Sequence, residues 1–396
     1  MKICFIVEGY YPKTSGVPNV TKYLAEGLAK RGEDVTVITR EIKGEKEKEK
    51  INNVEVIRFD GLNRNILKVY YGKKEEFINM VLERNDDVTI IECCQAITTD
   101  VLLKYIKEIK GIKILHAHGL AGLSCKVFEN KGNIKNTIGN TYNYFFWKIY
   151  YKFYLPKYIN DFDTVINLSQ YDSGEKYIRN HFKKEKFILG NATDNIFFEK
   201  DKKNNIKKYC STNGNYFISI ANYSPVKNQN QILKEFYKSN YGQKYDMIFI
   251  GKEKNNYYNR LIEYNKKLEK KYGKRNVYFL TNLNRNELPG ILSGAKMYLA
   301  GSTHEEYSLS LIEAMTQGIP FVSTDVGNAK ELPGGISIKN IKEMNIYIDK
   351  LMSNKKIYNN LSENGKKYAS ENCKITCKID ELIKILKEMK ASTNQK

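Results

Sequence analysis

At 396 residues the chain is longer than one hydrophobic core ordinarily serves, which excludes the simplest single-core protein and predicts two domains of common size. Its 41% hydrophobic and 12% aromatic content is that of a globular protein, and no stretch reaches the roughly 18 uninterrupted apolar residues of a spanning helix. With 65 Lys+Arg against 45 Asp+Glu the net charge is +20, which attracts nucleic acid, anionic lipid and phosphorylated substrates alike, so charge alone does not choose a partner.

The first apolar run, "KICFIVEG", reads as a buried parallel strand; it meets Glu8 too soon for a signal peptide. Seven scattered cysteines, odd in number and with no CxxC pair, fit a reducing cytoplasm. A loop holding Gly16 follows, then a helix with Val20, Tyr23, Leu24 and Leu28 on one face, stopped by Gly32. "DVTVIT" is the next strand, and the lysine-rich segment 41–50 reads as a solvated loop. "DVTIIECC", "KILHAH" and "TVINLS" repeat the strand-then-helix grammar, which predicts a parallel sheet wrapped by helices over residues 1–195.

Three features of this half carry chemistry. His116 and His118 end one strand at a spacing of two, so they share a face; a metal pair would need further ligands, and none stands at ligand spacing. "DFD" (161–163) has the form of a D-x-D metal motif, yet it directly precedes a strand, so Asp163 reads as structural and Ser169 as a residue of the site. The aromatic stretch 136–161 holds the only Trp and lysines 148, 152 and 157. It reads first as a core helix under the sheet, and alternatively as a surface resting on an anionic membrane.

After the linker-like segment 199–208 the grammar restarts with "YFISIA", "KYDMIFIG", "NVYFL", "KMYLAG" and "PFVSTD", a second α/β domain over 196–373. Open parallel sheets bind ligands at the C-terminal ends of their strands, so loops of both domains are expected around a common cleft. The stretch "GSTHEEYSLSLIEAMTQGIP" (301–320) runs from such a strand end into a helix. Its helix start favours a diphosphate, with Glu305 and Glu313 gripping hydroxyls on either side. The equally weighted alternative is a capping box of Ser310 and Glu313.

This stretch resembles the E-x7-E signature of the large retaining glycosyltransferase family 4, approximately E-G-F-G-L-P-x-x-E-A. Here Glu305, Tyr307, Leu309, Glu313 and Ala314 keep the pattern, while Glu306 and Ser308 replace its glycines. The resemblance runs over nearly the whole chain. "ISIANYSPVKNQNQILKEF" is similar to the family's donor-phosphate segment, with Lys227 kept and Asn222 where an arginine is usual, so one phosphate cation is missing. "KFILGNATDNIFF", "MIFIGKEKNNY" with Gly251, "NELPGILSGAKMYLAGS" and "STDVGNAKEL" resemble further family segments in order; Asn328 stands for a glycine in the last. "YYPKTSGVPNV" resembles the P-x-x-G-G loop, with Ser15 for the first glycine and Gly16 kept, and the H-G pair in "AHGL" points to His118 as the family's strand-end histidine.

The resemblance implies the GT-B fold: two Rossmann-like, doubly wound α/β domains facing a central cleft, with a last helix at about 374–396 returning to the first. It implies transfer of a sugar, with retention, from a UDP- or GDP-linked donor to a glycan or lipid-linked acceptor, in cell-surface polysaccharide or glycoconjugate synthesis. His118 and Glu305 are the expected catalytic residues. Gly16, Asn222, Lys227, Gly251, Tyr307, Ser308, Leu309 and Glu313 are expected to bind the donor. No metal, cofactor or nucleic acid is expected; the cysteine pattern makes the expected location cytoplasmic, and the membrane alternative for the aromatic stretch would place the chain peripherally at the inner membrane face. No carboxylate is a convincing nucleophile for double displacement, so front-face attack with the leaving phosphate taking the acceptor proton is favoured. The rivals are a sugar-nucleotide epimerase or phosphorylase of similar fold, and a basic polyanion binder; the dispersed lysines speak against the last.

Overall fold

In the strand Lys2–Ile6 (β1), Ile3 and Phe5 point to one face of a sheet and Cys4 and Ile6 to the other, and all four are fully buried. A strand buried on both faces needs cover on both, which is the arrangement of a parallel sheet between helical layers. The computed structural model describes residues 1–13, 16–65, 68–124, 134–199 and 203–394; Ser15 and Cys125 lie outside the described residues. These divide into two compact units, Met1–Asn191 with Ile375–Lys396, and Ala192–Lys374.

The first unit continues through β2 (Asp34–Arg40), β3 (Lys48–Ile51), β4 (Val54–Phe59), the small pair β5 (Leu62–Arg64) and β6 (Tyr70–Gly72), β7 (Val88–Glu92), β8 (Ile112–His116), β9 (Thr164–Asn167) and β10 (Lys186–Ile188). Its main sheet has the order β10-β9-β8-β7-β1-β2-β4-β3, parallel throughout except for β3 on β4. The Ile3/Phe5 face is covered by the helix Gly16–Lys30, through Val20, Leu24 and Leu28, and by the last helix, Ile375–Asn394, through Leu382 and Leu386. Gly27 permits that packing, because a Cβ there would lie 2.0 Å from Ile379 Cδ1.

The second unit holds β11 (Tyr216–Ile220), β12 (Asp246–Gly251), β13 (Val277–Thr281), β14 (Met297–Ala300), β15 (Phe321–Thr324) and β16 (Gly335–Ile338). They form one parallel sheet in the order β13-β12-β11-β14-β15-β16.

Three sequence expectations are corrected. The segment 41–50 is not all loop: its last residues enter β3, joined to β4 by a two-residue hairpin at Asn52 and Asn53, whose φ of 49° and 68° suit the turn that right-twisted strands accept. The linker-like segment 199–208 is anchored by Ile206, buried in the second unit's core. The aromatic stretch is not a simple core helix. It runs as an α-helix Ile134–Ile149, a π turn Tyr150–Tyr154 and short helical turns to Asp161. Trp147, Tyr150, Tyr151, Leu155 and Ile159 are buried, while Phe145, Ile149 and Phe153 are more than half exposed.

Candidate active site

The second unit's strand order reverses between β11 and β14, the switch point at which parallel sheets open a crevice beyond their strand ends. The loop after β11 ends in the turn Pro225–Lys227, and the loop after β14 carries Ser302 to Glu305. The Thr303 amide donates to the Val226 carbonyl (2.8 Å) and ties the loops together. This brings the Lys227 ammonium onto the Glu305 carboxylate, and Ser302 Oγ donates to the same oxygen at 3.0 Å. Both side chains retain some contact with solvent, 28% and 19% exposed, so the pair lies open to the crevice on one side.

Glu313 is buried on the inner side of the short helix Leu309–Thr316. The capping-box reading fails here: Ser308 is the N-cap, and Ser310 lies inside the helix. Glu313 instead accepts from Arg285 Nη2 at 2.9 Å, and Arg285 Nε stands 3.5 Å from Asp194. Burial pushes the Glu313 carboxyl above its ordinary range, and Arg285 opposes the shift only in part. The start of this helix is set by Asn328, fully buried, whose Oδ1 accepts from the Ser308 amide at 2.7 Å. Tyr307 and Leu309, expected to bind donor, are partly buried against the unit's core.

Asn222 and Gly251 line a cavity of about 460 Å³ together with Lys252, Asn282, Leu283 and Arg285. Lys252 and Arg285 place positive charge beside Asn222, where the sequence alone leaves a cation missing. Gly251 is required by Tyr223: a Cβ would stand 2.4 Å from that ring, which is pinned by its hydroxyl at 3.0 Å from both Phe249 O and Leu280 O.

In the first unit the order reverses between β1 and β7. Gly16 opens the first helix at φ +41°, a conformation that favours glycine. At the neighbouring strand ends, Glu92 Oε2 meets His118 Nε2 at 2.5 Å and His116 Nδ1 at 3.1 Å, and the imidazole centroids are 3.9 Å apart. Glu92 is wholly buried. Burial would raise its carboxyl, yet the two imidazoles outweigh that and hold it at about 2. Burial and His116 lower His118, against the pull of Glu92. The lowered carboxyl keeps Glu92 an ionised acceptor, and a lowered His118 that donates from Nε2 to it keeps a lone pair on Nδ1. Cys93, Gln95 and His118 all have positive φ (64°, 69° and 53°), a cost of about 1 kcal/mol or more each that marks a built site.

Sequence spacing shows no third ligand beside the two histidines, but the fold brings one, since donor atoms of Glu92, His116 and His118 all lie within 4.8 Å of one another. A cation there would have to displace the hydrogen bonds just described. The D-x-D reading is not supported, because Asp161 pairs with Lys107 and Asp163 with Lys113 and its amide. Ser169 is fully buried and accepts from the Tyr171 amide in a turn, so it is not exposed to a ligand. Glu92, Arg285 and Asn328 are what sequence reading missed as site residues; only Asn328 had a signal, standing where a glycine is usual.

Two protein-family models match the chain: glycosyl transferases group 1 over residues 200–368, and glycosyltransferase family 4 over residues 14–182. No curated protein matches it. Solved structures of similar fold include a sucrose-phosphate synthase from Thermosynechococcus elongatus, with a TM-score of 0.69, 14% identity and 99% of each chain covered. Anabaena HepE in complex with UDP and glucose gives a TM-score of 0.66 at 14% identity, covering 98% of this chain and 100% of that one. An α,α-trehalose 6-phosphate synthase from Burkholderia multivorans gives 0.67 at 11% identity, covering 100% and 98%.

Proposed function

Starting from a chain that is a group 1, family 4-like glycosyltransferase with the GT-B fold, we propose that it transfers a sugar, with retention and without a metal, from a nucleotide-sugar donor to a glycan or lipid-linked acceptor. The observation that carries this reading is the meeting of Lys227 and Glu305 across the switch point of the second unit. An ammonium poised to leave a carboxylate for a diphosphate, beside a second carboxylate at Glu313 for hydroxyls, is what a nucleotide-sugar requires. A UDP-linked donor is favoured, because the similarly folded Anabaena HepE is described in complex with UDP and with UDP-glucose.

In this reading Lys227, Lys252 and the start of the helix Leu309–Thr316 take up the diphosphate charge, Glu313 holds the ribose and Glu305 the transferred sugar. His118 acts at the sugar, oriented by Glu92. Gly16 allows main-chain amides to approach phosphate. No step is given to a protein nucleophile: the leaving diphosphate receives the acceptor proton as the glycosidic bond to the acceptor forms on the same face. We assign the enzyme to surface-polysaccharide or glycoconjugate synthesis on the cytoplasmic side of the membrane. No described helix is long and apolar enough to cross a membrane.

Mass spectrometry of reactions with a panel of UDP- and GDP-sugars, with proton NMR of the product's anomeric centre, tests this reading. A product carrying one added sugar in the donor's anomeric configuration is expected. An isomerised donor without a new glycoside, or inverted configuration, would overturn it.

A further inference from the structure

The helix Ile134–Ile149 and its π turn to Tyr154 present three adjoining faces. On one, Trp147 and Tyr151 are buried in the first unit's core. On another, Phe145, Ile149 and Phe153 follow one another every four residues and are 55%, 59% and 55% exposed. Lys148 and Lys152 stand between. A cavity of about 370 Å³ opens beside them, lined by the two lysines and by the rings of Tyr144, Trp147, Tyr151 and Tyr177. Among the described residues neither lysine meets a carboxylate. Lys148 Nζ lies 5.6 Å from the Tyr144 ring and Lys152 Nζ 5.1 Å from the Phe153 ring.

Three large apolar side chains in a row on a solvated helix are not explained by folding, and a contiguous patch of this kind marks an interaction surface. Its chemistry separates the possible occupants. The core of a protein–protein interface is depleted in lysine, whereas here two lysines stand directly beside the apolar row, between it and the cavity. Single-stranded nucleic acid stacks its bases on rings, yet Ile149 and the 40%-exposed Leu123 at the cavity offer no ring. An anionic bilayer matches every part: apolar side chains enter the glycerol and acyl boundary, lysines meet phosphates, and aromatic rings with polar tips sit at headgroup depth.

We propose that this face docks the first unit on an anionic bilayer, with Lys148 and Lys152 on a lipid phosphate and the aromatic cavity receiving the group that phosphate carries. That a docked lipid is the acceptor rests on the transferase reading above; the docking itself does not.

The test is co-sedimentation of the full chain with phosphatidylglycerol/phosphatidylcholine vesicles and with phosphatidylcholine alone, at physiological salt. Binding to the anionic vesicles only is expected. Each basic residue at such a surface is worth about fivefold, so Lys148→Gln with Lys152→Gln should weaken binding about 30-fold. Phe145→Ser with Ile149→Ser should weaken it further at raised salt. The same charge removed from exposed positions in the second unit, Lys266→Gln with Lys267→Gln, should leave it unchanged. Circular dichroism verifies the fold of each variant. Equal loss in both lysine pairs, negligible binding to either vesicle, or full displacement by millimolar inorganic phosphate would overturn the proposal. A chain that transfers sugar but ignores vesicles sinks the docking alone, and one that docks but transfers nothing sinks the transferase reading alone.

Discussion

Glu92 Oε2 and His118 Nε2 stand 2.5 Å apart across the ends of adjacent strands, although 26 residues separate them in the chain. The carboxylate can only accept, so it fixes His118 with its proton on Nε2 and its lone pair on Nδ1. We expect Glu92→Gln to lower kcat by about tenfold to a hundredfold with little change in donor affinity, the scale seen when a group that orients an imidazole is removed. Steady-state kinetics with parallel nucleotide-binding titrations would decide: unchanged kcat in a folded variant would remove Glu92 from the mechanism.

Lys227 is expected to exchange Glu305 for the donor's diphosphate. Lys227→Ala should therefore cost about 2 to 4 kcal/mol of transition-state stabilisation in kcat/KM, with circular dichroism unchanged. Near-normal turnover would sink the assignment of this pair.

Arg285 opposes the burial that raises the Glu313 carboxyl. Its removal should raise that carboxyl further, and a protonated Glu313 accepts fewer hydrogen bonds from ribose hydroxyls. The acid limb of UDP affinity should thus move to higher pH in Arg285→Ala. Calorimetric titrations between pH 5 and pH 8 would show the shift; a coincident profile would separate Glu313 from nucleotide binding.

Transfer should persist in EDTA, because the protein's own lysines and amides meet the diphosphate charge. The group of Glu92, His116 and His118 is where a required cation would act, so loss of activity in EDTA, restored by a divalent metal and abolished by His116→Ala, would replace the metal-free reading.

Gly251→Ala should destabilise the second unit by about 1 to 3 kcal/mol in urea denaturation, because the new methyl would press on a Tyr223 ring held by two hydrogen bonds. An unchanged midpoint would mean that the β12 end yields more readily than its packing suggests.

What the sequence determined by itself was whatever depends on neighbours along the chain. Short apolar runs ending in turn residues are strands because burial on both faces leaves no place for polar alternation, and the α/β grammar of both halves follows from that. The spacing of Glu305 and Glu313 and the glycines at 16 and 251 are equally local, so the strand-end loops could be named in advance. Tertiary structure alone decided what those residues face. Lys227 and Glu305, 78 residues apart in sequence, meet because β11 and β14 flank a switch point. Arg285 reaches Glu313 from the turn after β13, Asn328 reaches the Ser308 amide from beyond β15, and Glu92 reaches both histidines from the neighbouring strand. The aromatic helix divides into buried and exposed faces by the same cause: periodicity shows apolar residues all round it, and only the packing of one side against the sheet decides which of them remain in water.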